Sequence, residues 1–443
     1  MLPFDPYPRS GSKLSILLPP YELRASPLSV PKDAGSAPIH RRRCDTILAA
    51  THSVQPNSMI TTEGRHGLWS DRRTAILREA VGATWLPWLS ARAITIVALL
   101  LARAEVNVLR KGNAKAIGAA HSGLLGLDAG WYRSIASFGY GFSHESLRFF
   151  PLLPLLTRGM HDVTRIPIDA SLLIIANGSA FLGTMLVFVI AKRELGDTRT
   201  ARVAVWIASL APPAFVYVMG YSESLFLVLT AATLLCIRSD RWGWAVLWGF
   251  LAGTARPVGL LLFLPVLIEA CRTWGAAMWR NRVVRIAGIG APILGLVTYL
   301  TWVSVNFGGF LTPIRLQRDA GSSGISNDPF LNFYRDASSA LRGSHIGTAL
   351  HLPWLIVALI LCVVVLRALP LSYGVFASAV VVAGLFGGSN FASFERYAMS
   401  AFPLVIGAAT LCHSRRVGIS AVTLCGAGMF AYALAAFLAL NIP

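Results

Sequence analysis

From about residue 84 onward, long apolar runs alternate with short polar breaks, and several runs approach or exceed the roughly 20 residues that cross a bilayer core. They predict about eleven membrane helices, near 84–104, 168–190, 203–220, 222–237, 242–255, 257–271, 286–306, 352–367, 371–388, 397–412 and 418–440. Residues 1–80 differ: Pro, Ser and Arg are frequent, Arg41, Arg42 and Arg43 form a basic run, and no apolar period persists. That pattern predicts a disordered basic tail ahead of a membrane domain at 84–443. The tail lacks the basic start, apolar centre and small-residue cleavage site of a signal peptide. Two long mixed segments, 105–167 and 307–351, read as loops, the first carrying short amphipathic helices. The fold class predicted is therefore an all-α polytopic membrane protein.

Charge fixes the expected orientation. Only 14% of the residues are charged, whereas soluble domains carry about 25%. The formal net charge of +18 comes from basic residues clustered in short loops beside apolar runs, which points to membrane topology and not to nucleic acid. With the N-terminus on the cytoplasmic side, the inner loops hold Lys192, Arg193, Arg199, Arg202, Arg238, Arg241, Arg272, Arg280, Arg282, Arg285, Arg367, Arg415 and Arg416. The short outer turns hold Arg256 and Arg396. The apolar stretch around Arg256 has basic clusters at both ends, so it must turn back; Pro257 and Gly259 supply the turn. The six cysteines show no CxxC spacing and no disulfide framework. Asn177, Gly178 and Ser179 form a glycosylation sequon inside an expected span, where it is inaccessible.

This topology gathers Asp128, Glu145, Arg148, Tyr221, Glu223, Arg256, Asp319, Asp328, Glu395 and Arg396 on the outer side. Asp128, Trp131, Tyr132 and Ile135 stand at i, i+3, i+4 and i+7, so a helix starting near Asp128 presents them on one face. Two readings of Asp128 stand side by side: a helix cap, with the aromatics resting at the lipid interface, or an acid held in a site. The "FGYGF" stretch and the two prolines of "FFPLLPLL" break any continuous helix after it, giving a segment suited to the membrane interface. Asp319, Asp328 and Asp336 lie in a Gly-, Ser- and Asn-rich stretch and read as solvated.

The motif "LDAGWYRSIASFGY" followed by "RFFPLLPLL" resembles the first luminal loop of the PIG-V family, the GPI mannosyltransferase 2 type, and its bacterial relatives. Further on, "LAPPAFVYVMGYSESLFLVLTAATLL", "GTARPVGLL" and "ERYAMSAFPL" are similar to that family's later blocks, in the same order. Together they cover most of the chain beyond about residue 85. Leu127 departs from the pattern, standing where the family usually has Trp.

The resemblance implies a GT-C superfamily glycosyltransferase: an inverting enzyme that moves a mannosyl residue from a polyprenyl-phosphate donor to a lipid-linked glycan, cell-wall polymer or protein. It implies Asp128 as the general base for the acceptor hydroxyl. Arg256, Arg396 and Arg148 become the candidates for the donor phosphate, because a guanidinium fork matches phosphate oxygens. Trp131, Tyr132, Glu145, Tyr221 and Glu223 become candidates for substrate contact. The sequence shows no His, Cys and Asp cluster with metal-ligand spacing; a firmly bound metal is not expected, and a divalent ion stays open. Expected partners are membrane lipids, the polyprenyl-phosphate sugar, a glycan or glycolipid acceptor and a second membrane subunit, with no nucleic acid. The expected place is a cytoplasmic membrane with the site on its outer face, in a high-GC bacterium by residue bias, or the ER membrane in a eukaryote. A flippase or transporter of lipid-linked intermediates and a non-catalytic scaffold are the competing classes.

Overall fold

A computed structural model describes residues 62–108, 114–275, 278–319, 338, 351–386 and 394–440. One compact unit spans His66–Pro443; the other, Met1–Arg65, falls almost wholly outside the described residues. Among the described residues the regular structure is helical, with no strand, as the apolar pattern predicts. Four helices are long and apolar enough to cross a membrane on their own: α1 (Thr62–Val108), α5 (Ile168–Leu195), α10 (Trp279–Phe307) and α16 (Arg415–Phe437). Their outward faces carry large exposed apolar side chains such as Trp85, Leu100, Ile286 and Leu424, the surface a lipid environment covers.

Between α1 and α5 the first outer loop folds into α2 (Ala114–Ser122), α3 (Asp128–Phe138) and α4 (Leu152–Thr164), with short 3-10 turns at Tyr140–Phe142 and His144–Arg148. Then come α6 (Thr198–Leu210), α7 (Glu223–Arg238), α8 (Trp242–Ala255) and α9 (Phe263–Arg272). After α10 follow α11 (Thr312–Asp319), α12 (His351–Ala368), α13 (Leu371–Phe386), α14 (Phe394–Ser400) and α15 (Pro403–Thr410). Helix α7 is apolar nearly all round and sits at the centre of the bundle, touching α5 and α8 along its length.

Four expected spans need correction, one being 257–271, whose first six residues form a 3-10 turn so that α9 starts only at Phe263. The run 203–220 is not one helix: α6 stops at Leu210, and Pro212–Tyr217 forms a 3-10 turn. Pro212 and Pro213 supply no N–H, and Ala211 is driven to extended backbone (φ −50°, ψ 144°) ahead of a proline. The run 397–412 likewise divides between α14 and α15, with Pro403 opening the second piece. The helix behind the 84–104 span begins at Thr62, inside the stretch 1–80 expected as tail; residues 1–61 lie outside the described residues.

The turn at Arg256 is as expected. Helix α8 ends at Ala255, Arg256 is extended (φ −155°, ψ 150°), and a 3-10 turn over Pro257–Leu262 leads into α9. A Cβ at Gly259 would lie 2.1 Å from the Ala252 carbonyl oxygen, so only glycine lets the returning chain approach this closely.

The two ends of the bundle carry different polar clusters. At one end Lys192 pairs with Glu79, Arg238 with Glu194 (3.0 Å) and Glu269 (3.4 Å), and Arg285 with Asp240 (3.2 Å). Ser372 donates to Glu269 (2.8 Å) and Tyr373 to Glu194 (3.3 Å), joining α5, α7, α9 and α13. The other end holds the cluster described next.

Candidate active site

The helix that begins at Asp128 is α3, and its first turn is set by a tight turn over Gly126–Ala129, closed by Ala129 N–H donating to the Gly126 carbonyl at 3.1 Å. Leu127 takes the corner at φ 55°, ψ −132°, a conformation that favours glycine. A leucine here holds roughly 1–3 kcal/mol of backbone strain beside the acid. Asp128 makes no cap: the position before the helix is Leu127, without a side-chain cap, and the Asp128 carboxylate turns instead toward Arg396.

Arg396 Nη1 donates to Asp128 Oδ2 at 2.5 Å, across 268 positions of chain. The same guanidinium lies 3.2 Å from Glu223 Oε1 through Nε, an ion pair by distance without hydrogen-bond alignment, and Arg256 Nη1 reaches that oxygen at 2.9 Å. Arg256 Nη1 also donates to Ser400 Oγ at 3.4 Å. The Glu223 side chain is 4% exposed and that of Arg256 9%, so the Glu223 end of this chain of two acids and two guanidinium groups is desolvated, whereas Asp128 at its other end stays 29% exposed. Position in the helices assists: Glu223 is the first residue of α7, where the positive end of the helix dipole lies, and Arg256 follows the carbonyl end of α8.

Arg148 is different. Its guanidinium lies over the rings of Phe149 (4.9 Å) and Trp131 (5.7 Å), and its buried Nε has no hydrogen-bond partner. Among the described residues no carboxylate pairs with it. Two carboxylates thus offset two of the three guanidinium groups here, and Arg148 holds the charge left over.

Aromatic hydroxyls frame the acids. Tyr132 donates to Ser222 Oγ (2.8 Å), and burial, followed by the charge of Glu223, pushes its hydroxyl well above the ordinary phenol range, so it stays a donor. Tyr221 accepts from the Asp128 backbone N–H (3.3 Å), lies under Arg396 at 5.6 Å, and is raised in the same direction by burial and then by Asp128.

Asp128, Tyr132, Arg148, Glu223, Arg256 and Arg396 line one small cavity of about 40 Å³, together with Ser222, Gln317 and Tyr397. Gln317 of α11 lines it as well, and its Nε2 donates to the Tyr397 hydroxyl at 3.2 Å. A second cavity, apolar and about 650 Å³, is lined by Tyr140, Pro151, Leu152, Leu155, Thr254, Tyr299 and Trp302 among others. The two are neighbours along the chain at Phe150–Pro151 and at Thr254–Ala255.

The sequence-predicted residues therefore divide. Asp128, Tyr132, Glu223, Arg256, Arg396 and Arg148 meet at the small cavity; Tyr221 supports it from behind. Trp131 does not line it, but stacks on Phe149 (5.5 Å) as a floor under Arg148. Glu145 is exposed and lies outside the cavity lining, since its 3-10 turn directs Ser146 and Leu147 inward instead. Asp328 and Asp336 lie outside the described residues, as does the Asp319 side chain. Sequence reasoning missed Ser222, Gln317, Tyr397 and Ser400. The first sits between two residues it did select, and Tyr397 directly follows Arg396; nothing near Gln317 marks it. Among the described residues no group of three or more His, Cys, Asp or Glu side chains is placed to hold a metal ion.

No protein-family model matches the chain, and no curated protein sequence does. Among solved structures it is similar to ArnT from Cupriavidus metallidurans, solved bound to undecaprenyl phosphate, with a TM-score of 0.45, 16% identity, and coverage of 71% of this chain and 72% of that one.

Proposed function

We propose that the chain is a membrane glycosyltransferase that takes a sugar from a polyprenyl-phosphate donor, with mannose as the sugar that its sequence motifs favour. One observation carries this reading: an acid, a guanidinium group without an acidic partner and an apolar cavity large enough for a lipid segment lie side by side at one end of the bundle.

In the proposed reaction the acceptor hydroxyl oxygen attacks the anomeric carbon and its proton passes to Asp128. Arg396 already holds Oδ2, which leaves Oδ1 as the oxygen to receive it. The bond from the anomeric carbon to the phosphate oxygen breaks, and its electron pair stays on the phosphate, which gains one negative charge. Arg148, with no carboxylate to satisfy, is the cation that meets this charge. Arg256 and Arg396, each bound to Glu223, orient the acid and the rim of the pocket. Attack from the face opposite the phosphate inverts the anomeric centre.

The polyprenyl chain fits the apolar cavity between the "FFPLLPLL" segment and α10, where Tyr140, Tyr299 and Trp302 form an aromatic wall. A hexose does not fit into about 40 Å³, so donor entry requires side chains of the lining to give way, the Gln317 to Tyr397 contact among them.

Binding of a polyprenyl phosphate to the purified protein in nanodiscs tests the site separately from turnover. Replacing Arg148 by Gln is expected to weaken binding about tenfold, the scale of one charge-assisted hydrogen bond, with Arg148→Lys in between. Equal affinity in wild type and Arg148→Gln contradicts the phosphate site.

A further inference from the structure

Near the middle of the expected first span, Arg92 sits among apolar neighbours, and among the described residues no carboxylate pairs with it. An ionised side chain at such a position is costly and is held there by a specific task. Its contacts identify the task. Arg92 Nε donates to Asn177 Oδ1 (2.9 Å), Nη1 to the Trp88 carbonyl (3.0 Å) and Nη2 to the Tyr217 carbonyl (3.4 Å), while the guanidinium lies 4.1 Å from the Trp88 ring. Asn177 in turn donates through Nδ2 to the Val218 carbonyl (3.0 Å), and Trp88 Nε1 donates to the Asn177 carbonyl (3.0 Å).

The acceptors are Tyr217, the last residue of the 3-10 turn Pro212–Tyr217, and Val218, the first residue of the break that separates this turn from α7. In a continuous helix the Tyr217 carbonyl would accept from Tyr221 N–H. Here that N–H goes to Met219 (2.9 Å), so the carbonyl needs another donor. Unwound backbone at membrane depth persists only where the protein satisfies it. The residues that follow the break are Tyr221, Ser222 and Glu223, and Gly220 N–H ties the same stretch to Leu124 of the first outer loop (3.2 Å).

We propose that Arg92 and Asn177 are positioning residues: a two-part clamp that fixes the unwound stretch Tyr217–Ser222 and thereby sets Tyr221 and Glu223 against Asp128 and the two arginines. The clamp itself follows from the contacts above; its effect on turnover rests on the glycosyltransferase reading. Asn177 is then a donor to the backbone, and the sequon it heads is not a glycan acceptor.

Hydrogen exchange on the full chain in nanodiscs tests the clamp, reading the amides of 218–222. Asn177→Leu keeps the branched outline of the side chain and loses the contacts to Arg92 and Val218; exchange there is expected to rise about tenfold or more, while α10 is unchanged. Asn177→Asp separates the clamp from plain charge compensation: it gives Arg92 a carboxylate but turns an oxygen toward the Val218 carbonyl. The clamp predicts exchange clearly above wild type, because the Val218 contact is lost while that to Arg92 is kept, whereas wild-type exchange in Asn177→Asp overturns it. Arg92→Met, which removes the Tyr217 contact from the other side, serves as a second variant should Asn177→Leu not accumulate. Unchanged exchange in Arg92→Met, or a rise spread evenly over α5 and α7, overturns the proposal as well. With polyprenyl-phosphate mannose as probe, kcat is expected to fall about tenfold at little-changed KM. Should wild type transfer no sugar, the functional reading fails alone and the exchange data still decide the clamp.

Discussion

At the scale of single residues, the site works by unequal pairing. Glu223 compensates Arg256 and shares Arg396 with Asp128, whereas Arg148 is compensated by none of the described residues. Neutralising Glu223 as Gln leaves the buried Arg256 without a carboxylate and Arg396 held by Asp128 alone, which is expected to destabilise the protein by about 3–5 kcal/mol, read as lost thermal stability in detergent. Leu127 gives a second prediction. Its φ of 55° is tolerated by glycine and worst for β-branched side chains. Leu127→Gly is therefore expected to keep the fold and the position of Asp128, and Leu127→Ile, of equal volume, to lose both; thermal stability and donor binding measured on the two variants decide. The sequence marked Leu127 only as a missing aromatic. The backbone shows that the position carries strain whichever side chain stands there.

At the scale of elements, the helices were legible because burial in lipid demands long apolar runs, and nearly every run is a helix. What the runs do not reveal is where a helix breaks. Pro212 and Pro213 stand in plain view, yet the average apolarity across 203–220 stays high and conceals the change from α6 to a 3-10 turn. The link between α5 and α6 offers a prediction independent of the site. Asp197 caps α6, accepting from Thr200 Oγ1 (2.5 Å), Thr200 N (2.9 Å) and Arg199 N (3.0 Å). The Thr200 hydroxyl first, then the two N–H groups, hold its carboxyl below the usual range. Its folded pKa is lowered, so its contribution is fully present above the ordinary carboxylate pKa and is lost as pH falls through the lowered value. Asp197→Ala is expected to cost about 1 kcal/mol at neutral pH, and the difference from wild type to shrink in acid; a gap that widens on acidification contradicts the cap.

At the scale of the whole molecule, the fold brings together residues that sequence distance hides. The run of charges along the chain places Asp128, Glu223, Arg256 and Arg396 at one end, and that grouping was legible from topology. Which of them pair was not, since a contact across 268 positions leaves no local trace, and neither was the place of Gln317 in the cavity lining. The two-ended arrangement predicts that single cysteines introduced beside Asp128 and Arg396 react with an impermeant thiol reagent from one side of sealed vesicles, and cysteines beside Arg193 and Arg238 from the other. Reaction of both sets from the same side contradicts the topology. The central claim, that Asp128 accepts a proton while a sugar leaves a lipid phosphate, is tested most directly by one measurement: transfer of labelled mannose from polyprenyl-phosphate mannose to a panel of glycolipid acceptors by the reconstituted protein, wild type beside Asp128→Asn. Transfer by wild type that falls at least about a hundredfold in Asp128→Asn is the predicted result; equal transfer by both proteins would contradict it.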